Sequence, residues 1–124
     1  MESGSSSGVG FAALEASLEP IRTLTPSAIF THVSGYLDEL EAGIIERGLT
    51  SLRSSRAERR SGILSIRPPV STSATELMLG LRRRRVEVTT PDGLLRFAPH
   101  FPNARREIPR VLGALDETLS ELAR

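Results

Sequence analysis

The apolar positions of this chain fall into helical stripes separated by short strand-like runs. Ile29, Val33, Tyr36, Leu37, Leu40 and Ile44 recur at steps of three and four, which predicts an amphipathic helix over residues 25–48. Thr25 before Pro26 reads as an N-cap followed by proline at the first helical position, and Gly48 as the stop. An earlier stripe of Phe11, Leu14, Leu18 and Ile21 predicts a helix over 9–21, which Pro20 should end or kink. Ser73 with Glu76 three residues on forms a capping-box signature ahead of Leu77, Met78 and Leu81. The last stripe, Ile108, Val111, Leu112, Leu115, Leu119 and Leu122, predicts a C-terminal helix that becomes regular near Pro109.

Between the helices, period-two and short apolar runs predict strands over 62–66, 85–89 and 94–98, with a shorter one over 49–53. A polar loop covers 54–61, and Pro68-Pro69 ends the strand before it. Pro91-Asp92-Gly93 is a turn signal: proline presets φ, aspartate caps its own backbone and glycine accepts positive φ. The two strands around it therefore read as a hairpin. The expected fold is α/β in two layers, a small mainly antiparallel sheet with the helices at 25–48, 73–84 and the C-terminus packed on one face. Residues 1–24 are expected to form a glycine- and serine-rich segment plus a helix, and 25–124 the domain itself.

The 124 residues suit one such domain, and 39% hydrophobic with 25% charged content is ordinary for a globular protein. No apolar run approaches the ~18 residues that cross a bilayer, and no signal peptide is visible, so a cytoplasmic setting is expected. There is no cysteine, hence no disulfide, thiolate ligand or thiol nucleophile. The 16 basic residues against 15 acidic are all arginine. No lysine amine is therefore present to form an imine with a carbonyl compound.

The run Arg82-Arg-Arg-Arg85 invites a nucleic-acid reading through phosphate neutralisation. Against it, arginines at a helix C-terminus complement the helix dipole, and no aromatic residues interleave for base stacking. His32 and His100 are far apart with no acidic cluster at ligand spacing, so no metal site is expected. His32, beside the stripe of its helix, reads as a partly buried structural histidine, and His100 as a loop residue without triad partners. Arg96 is the residue that stands out: a single cation between Leu95 and Phe97 in a predicted strand, which by itself reads either as an arginine paired with a surface carboxylate or as a cation placed to meet an external anion.

Arg59-Arg-Ser-Gly-Ile-Leu-Ser-Ile66, Val86-Glu-Val88 and Gly93-Leu-Leu-Arg-Phe-Ala-Pro-His-Phe-Pro-Asn103, in that order, resemble the C-terminal part of class V aminotransferase-fold enzymes. That pyridoxal-phosphate-dependent family includes cysteine desulfurases, kynureninases and isopenicillin N epimerase-like proteins. The opening Met1-Glu-Ser-Gly-Ser-Ser-Ser-Gly-Val-Gly-Phe-Ala-Ala-Leu-Glu-Ala-Ser-Leu18 resembles the segment where such enzymes pass from the large domain to the small one. The resemblance implies that Arg96 binds the substrate carboxylate, a task suited to a planar guanidinium fork. It also implies that Ser5 sends its hydroxyl to the cofactor phosphate of a neighbouring subunit. Asn103 and Glu107 keep the family's start of the last helix in kind, but Ala104 stands at its cap position and Pro102 where a tyrosine is common.

Cysteine desulfurase chemistry is excluded for this chain as it stands, because it needs a mobile cysteine. No residue is assigned a catalytic role. The expectation is a C-terminal fragment or truncated relative of such an enzyme, supplying Arg96 and closing the active site over an amino-acid substrate. Its partners would be a large domain or second subunit, in a homo-oligomer. The alternative is a stand-alone, non-catalytic interaction or anion-binding module with the same fold.

Overall fold

The computed structural model describes residues 7–124, so Ser5 lies outside the described residues. The elements run α1 (Gly8–Leu24), α2 (Pro26–Glu46), β1 (Thr50–Ser51), β2 (Leu64–Arg67), α3 (Ala74–Arg83), β3 (Leu95–Phe97) and α4 (Ile108–Leu122). The three strands form one antiparallel sheet in the order β1-β2-β3, with Thr50 opposite Arg67, Ser51 opposite Ile66, Ser65 opposite Arg96 and Leu64 opposite Phe97. The fold is thus the expected mixed α/β arrangement. Leu64, Ile66, Leu95 and Phe97 turn to one face, where they meet Leu37, Leu40, Ile44, Leu77, Leu81, Ile108 and Leu115 in a single core. None of the helices is long and apolar enough to cross a membrane among the described residues.

Local sequence explains the helix ends. The Thr25 hydroxyl accepts the amide of Ala28, and Pro26 opens α2. At the other end Gly48 adopts φ 74°, its amide donating to Ile45 and the next amide, of Leu49, to Ile44. That is the Schellman arrangement, open to glycine because it lacks a Cβ. Ser73 and Glu76 close the capping box in both directions. The start of α4 is ragged as expected, a 3-10 turn at Arg105–Glu107 leading into the helix at Ile108. Close helix contacts rest on two glycines: a Cβ at Gly80 would fall on Thr118, and one at Gly43 on Leu112. Removing both Cβ atoms lets α4 lie against α3 and α2.

Three expectations are corrected. Pro20 does not end α1, which continues to Leu24. The whole helix has no buried residue, so water can take the carbonyl that proline leaves unpaired. Residues 85–89 are not a strand. The amide of Val86 is used by the Leu81 carbonyl at the end of α3, Arg85 has φ 59°, and only Thr89 bridges Arg96. The tight hairpin is accordingly a longer loop with a 3-10 turn at Pro91–Gly93, Asp92 sitting at φ 54°. The strand expected over 62–66 is shifted to Leu64–Arg67.

Three of the four arginines of the run are paired within the fold. Arg83 meets Glu121 at 3.0 Å, Arg84 meets Glu117 at 2.9 Å and Glu121 at 3.0 Å, and Arg82 meets Glu87 at 3.4 Å. Arg47 makes a two-pronged pair with Asp116 at 2.7 and 2.9 Å, tying α2 to α4.

Three carboxylates are held below their ordinary pKa: Glu76 by the Ser73 amide and then its hydroxyl, Asp116 by the hydrogen bond from Arg47, and Glu121 by Arg84 and then the charge of Arg83. A depressed folded pKa means the unfolded chain takes up the proton first. The stabilisation is therefore complete above the ordinary carboxylate range and lost as pH falls through it. Urea midpoints are expected to hold level near neutrality and fall below about pH 4.5. A midpoint unchanged down to pH 3 would contradict this account.

Candidate functional site

Because side chains alternate along a strand, Leu95 and Phe97 entering the core send Arg96 to the opposite face. Cross-strand register places Ser65 and Thr89 on that same face beside it, and the next pair along, Arg67 and Thr50, completes it. This outer face therefore carries two cations, three small hydroxyl residues and no carboxylate from the paired positions. Arg67, Thr50 and Thr89 are exposed, and Arg96 and Ser65 are half-buried.

The Arg96 side chain combines partial burial with a lack of partners. Among the described residues its guanidinium forms no ion pair, and its Nε is buried without a hydrogen-bond partner. Its backbone, by contrast, is fixed to Thr89: its amide donates to the Thr89 carbonyl at 2.8 Å, and its carbonyl accepts from the Thr89 amide at 3.2 Å. The result is a cation of set origin whose charge is not neutralised internally. A planar fork in that state can take a carboxylate in bidentate fashion.

The segment after β3 is a compact turn pinned by Asn103. The His100 amide donates to Asn103 Oδ1 at 2.9 Å, and the Asn103 amide donates to the His100 carbonyl at 3.0 Å. The Asn103 carbonyl lies 2.8 Å from His32 Nε2, which anchors the turn to α2. His32 therefore has the structural place expected for it. The His100 ring is exposed and stacks obliquely on Phe101 with centroids 4.5 Å apart. No carboxylate hydrogen-bonds it among the described residues.

On the helix side of this turn, a cavity of about 350 Å³ is lined by Tyr36, Arg85, Pro99, Asn103, Glu107 and Arg110, among others. Burial and then Glu107 push the Tyr36 hydroxyl above its ordinary pKa, keeping it protonated. Arg96 does not line this cavity.

Sequence reasoning missed Arg67, whose place beside Arg96 depends on register, and Arg53. The Arg53 side chain is 2% exposed, with Nη1 bound to Asp38 at 2.6 Å and to Glu41 at 3.1 Å. Its Nε and Nη2 are buried without partners. No motif around it distinguishes it from the exposed arginines of the same loop. Among the described residues no group of three or more candidate ligands gathers to hold a metal ion.

No family model matches the sequence, and no curated protein matches it. A solved structure does match. The chain has the fold of part of a NifS-like protein. The superposition has a TM-score of 0.67 at 20% identity and covers 76% of this chain. It spans 29% of the NifS-like chain, so the two share less than a third of that protein's length.

The residues of this chain do not by themselves fit the pyridoxal phosphate that the sequence resemblance implies. All 16 basic side chains are arginine, so no side-chain amine is present to attach it. Arg96, with its unpaired fork, suits a carboxylate rather than a cofactor ring.

Proposed function

We propose that this chain acts as the small-domain part of a pyridoxal-phosphate-dependent enzyme of the class V aminotransferase type. In this reading Arg96 binds the carboxylate of an amino-acid substrate. The lysine and the cofactor ring's contacts come from a large domain or a second subunit. The observation that supports it is the Arg96 guanidinium, backbone-fixed in β3 and free of internal carboxylates among the described residues. Leaving a half-buried guanidinium unpaired is costly in a purely structural role, and the cost is recovered if an external anion completes it.

Residues 1–24 would form the junction with the cofactor-bearing part, with Ser5 donating to the cofactor phosphate, and 25–124 the substrate-closing domain. The likeness in fold to a NifS-like protein fits this assignment. Arg67 on the same face favours a second reading, a stand-alone anion-binding module, in which the two guanidinia together hold a ligand without any catalysis.

The first experiment is chemical. The purified chain is mixed with pyridoxal phosphate and treated with borohydride, then mapped by mass spectrometry. No reduced adduct on any side chain is expected, and transamination should be absent. A stable side-chain adduct on this chain would overturn the reading.

A further inference from the structure

The cavity on the helix side of the Pro99–Asn103 turn gathers polar groups that the fold leaves uncommitted. The buried side chains of Leu40, Val86, Phe97 and Val111 give it an apolar floor. Tyr36 also lines it and is 5% exposed, yet its hydroxyl makes no hydrogen bond among the described residues, where a buried phenol ordinarily finds a partner. Arg85 is the member of the arginine run without an ion pair among the described residues. It stands at φ 59° just past the end of α3, a position where glycine is usual, and its side chain lines the cavity. Arg110 comes from α4 to the same turn, with Nη1 3.4 Å from the Arg84 carbonyl and 3.5 Å from that of Arg85. Glu107 lies three residues before Arg110, a spacing that suits an ion pair, but among the described residues the two form none. The other carboxylate at the rim, Glu87, is already matched to Arg82 at 3.4 Å.

We propose that this cavity binds a free α-amino acid with an apolar side chain, at a site separate from Arg96. The distribution of charge selects that class. The Arg85 and Arg110 guanidinia meet the carboxylate, joined by the Tyr36 hydroxyl, which burial keeps protonated and therefore a donor. Glu107 meets the ammonium group, which in an α-amino acid sits beside the carboxylate as Glu107 sits beside Arg110. The apolar side chain covers Leu40, Val86, Phe97 and Val111. A simple carboxylate would face Glu107 with a like charge, and a simple amine would leave both arginines unmatched. The volume of about 350 Å³ is at the lower end of the ~300–1,000 Å³ of small-molecule sites.

This site does not require Arg96, which is not among its lining residues. Methyl NMR of the full chain, with L-leucine as the probe, is therefore run on the parent and on Arg96→Lys. The Leu40, Val86 and Val111 methyl signals should shift saturably in both, with midpoints that agree within about twofold. Arg85→Gly removes a guanidinium and relieves the positive φ, so the fold is not at risk. That change and Arg110→Met should each weaken binding roughly tenfold to a hundredfold. Glu107→Gln should weaken L-leucine but not 4-methylpentanoate, which has the same apolar body and carboxylate without the ammonium group. Signals that do not saturate up to the solubility of L-leucine, saturation abolished by Arg96→Lys, or midpoints indifferent to both arginine changes would each overturn the proposal. Equal loss of L-leucine and 4-methylpentanoate in Glu107→Gln would overturn it too, because the ammonium contact defines the ligand class.

Discussion

Glu41→Ala is expected to destabilise the protein by about 3–5 kcal/mol, because it strips a buried cation of its most enclosed counter-charge. The Arg53 side chain is 2% exposed and Glu41 13% exposed, whereas Asp38, the other carboxylate on Arg53, is 55% exposed. Asp38 also serves Arg60 at 3.1 Å, so it cannot take over the whole burden. Glu41 further accepts the Ser51 hydroxyl, linking the pair to β1.

The double change Arg53→Met/Glu41→Leu should behave differently. Two of the Arg53 nitrogens are buried without partners, each costing about 1–3 kcal/mol of unrecovered desolvation. Replacing both members by apolar side chains removes that cost along with the attraction, and the double variant should stay within about 1 kcal/mol of the parent. Urea denaturation of the three proteins checks both statements. A double variant as unstable as Glu41→Ala would show that the pair itself, and not its broken half, holds α2 to the sheet.

Arg96→Lys is expected to separate stability from binding. In the chain alone, urea stability should change by less than about 0.5 kcal/mol, since no internal carboxylate depends on the guanidinium among the described residues. On the proposed function, the same change in a chain joined to a lysine-bearing part should weaken amino-acid binding by about 1.5–3 kcal/mol, roughly tenfold to a hundredfold. Lysine keeps the charge but loses the planar fork, so the loss reports geometry rather than charge. A large stability loss in the chain alone, with binding unaltered, would make Arg96 a structural residue.

Much of this fold was legible because its signals are local. Thr25-Pro26, Gly48 and the Ser73–Glu76 box act within one helical turn, and each formed where the sequence placed it. The alternation of Leu95, Arg96 and Phe97 likewise set Arg96 opposite the core before any partner strand was known. The hairpin lost to a local competitor: α3 ends in a turn that puts Arg85 at positive φ and the Val86 amide on the Leu81 carbonyl, which left only Thr89 to bridge. Pro20 misled because the cost of its missing donor depends on exposure, and α1 is exposed throughout. The pairing of the arginine run with Glu117 and Glu121 needed α4 beside α3, and the neighbourhood of Arg96 and Arg67 needed the register of β2 against both other strands. Such contacts between distant segments leave no periodic trace in the chain.

The central claim is that Arg96 is a carboxylate receptor, and arginine Nε resonances report on it directly. The Arg96 signal, assigned from its loss in Arg96→Lys, would be followed by nitrogen-15 NMR while an α-amino acid such as alanine is added, with alanine amide as the control. The account predicts a saturable shift of the Arg96 Nε resonance with the amino acid and none with the amide, while the ion-paired Arg47 and Arg84 stay still. An Arg96 signal that does not move, or moves equally with the amide, would contradict it.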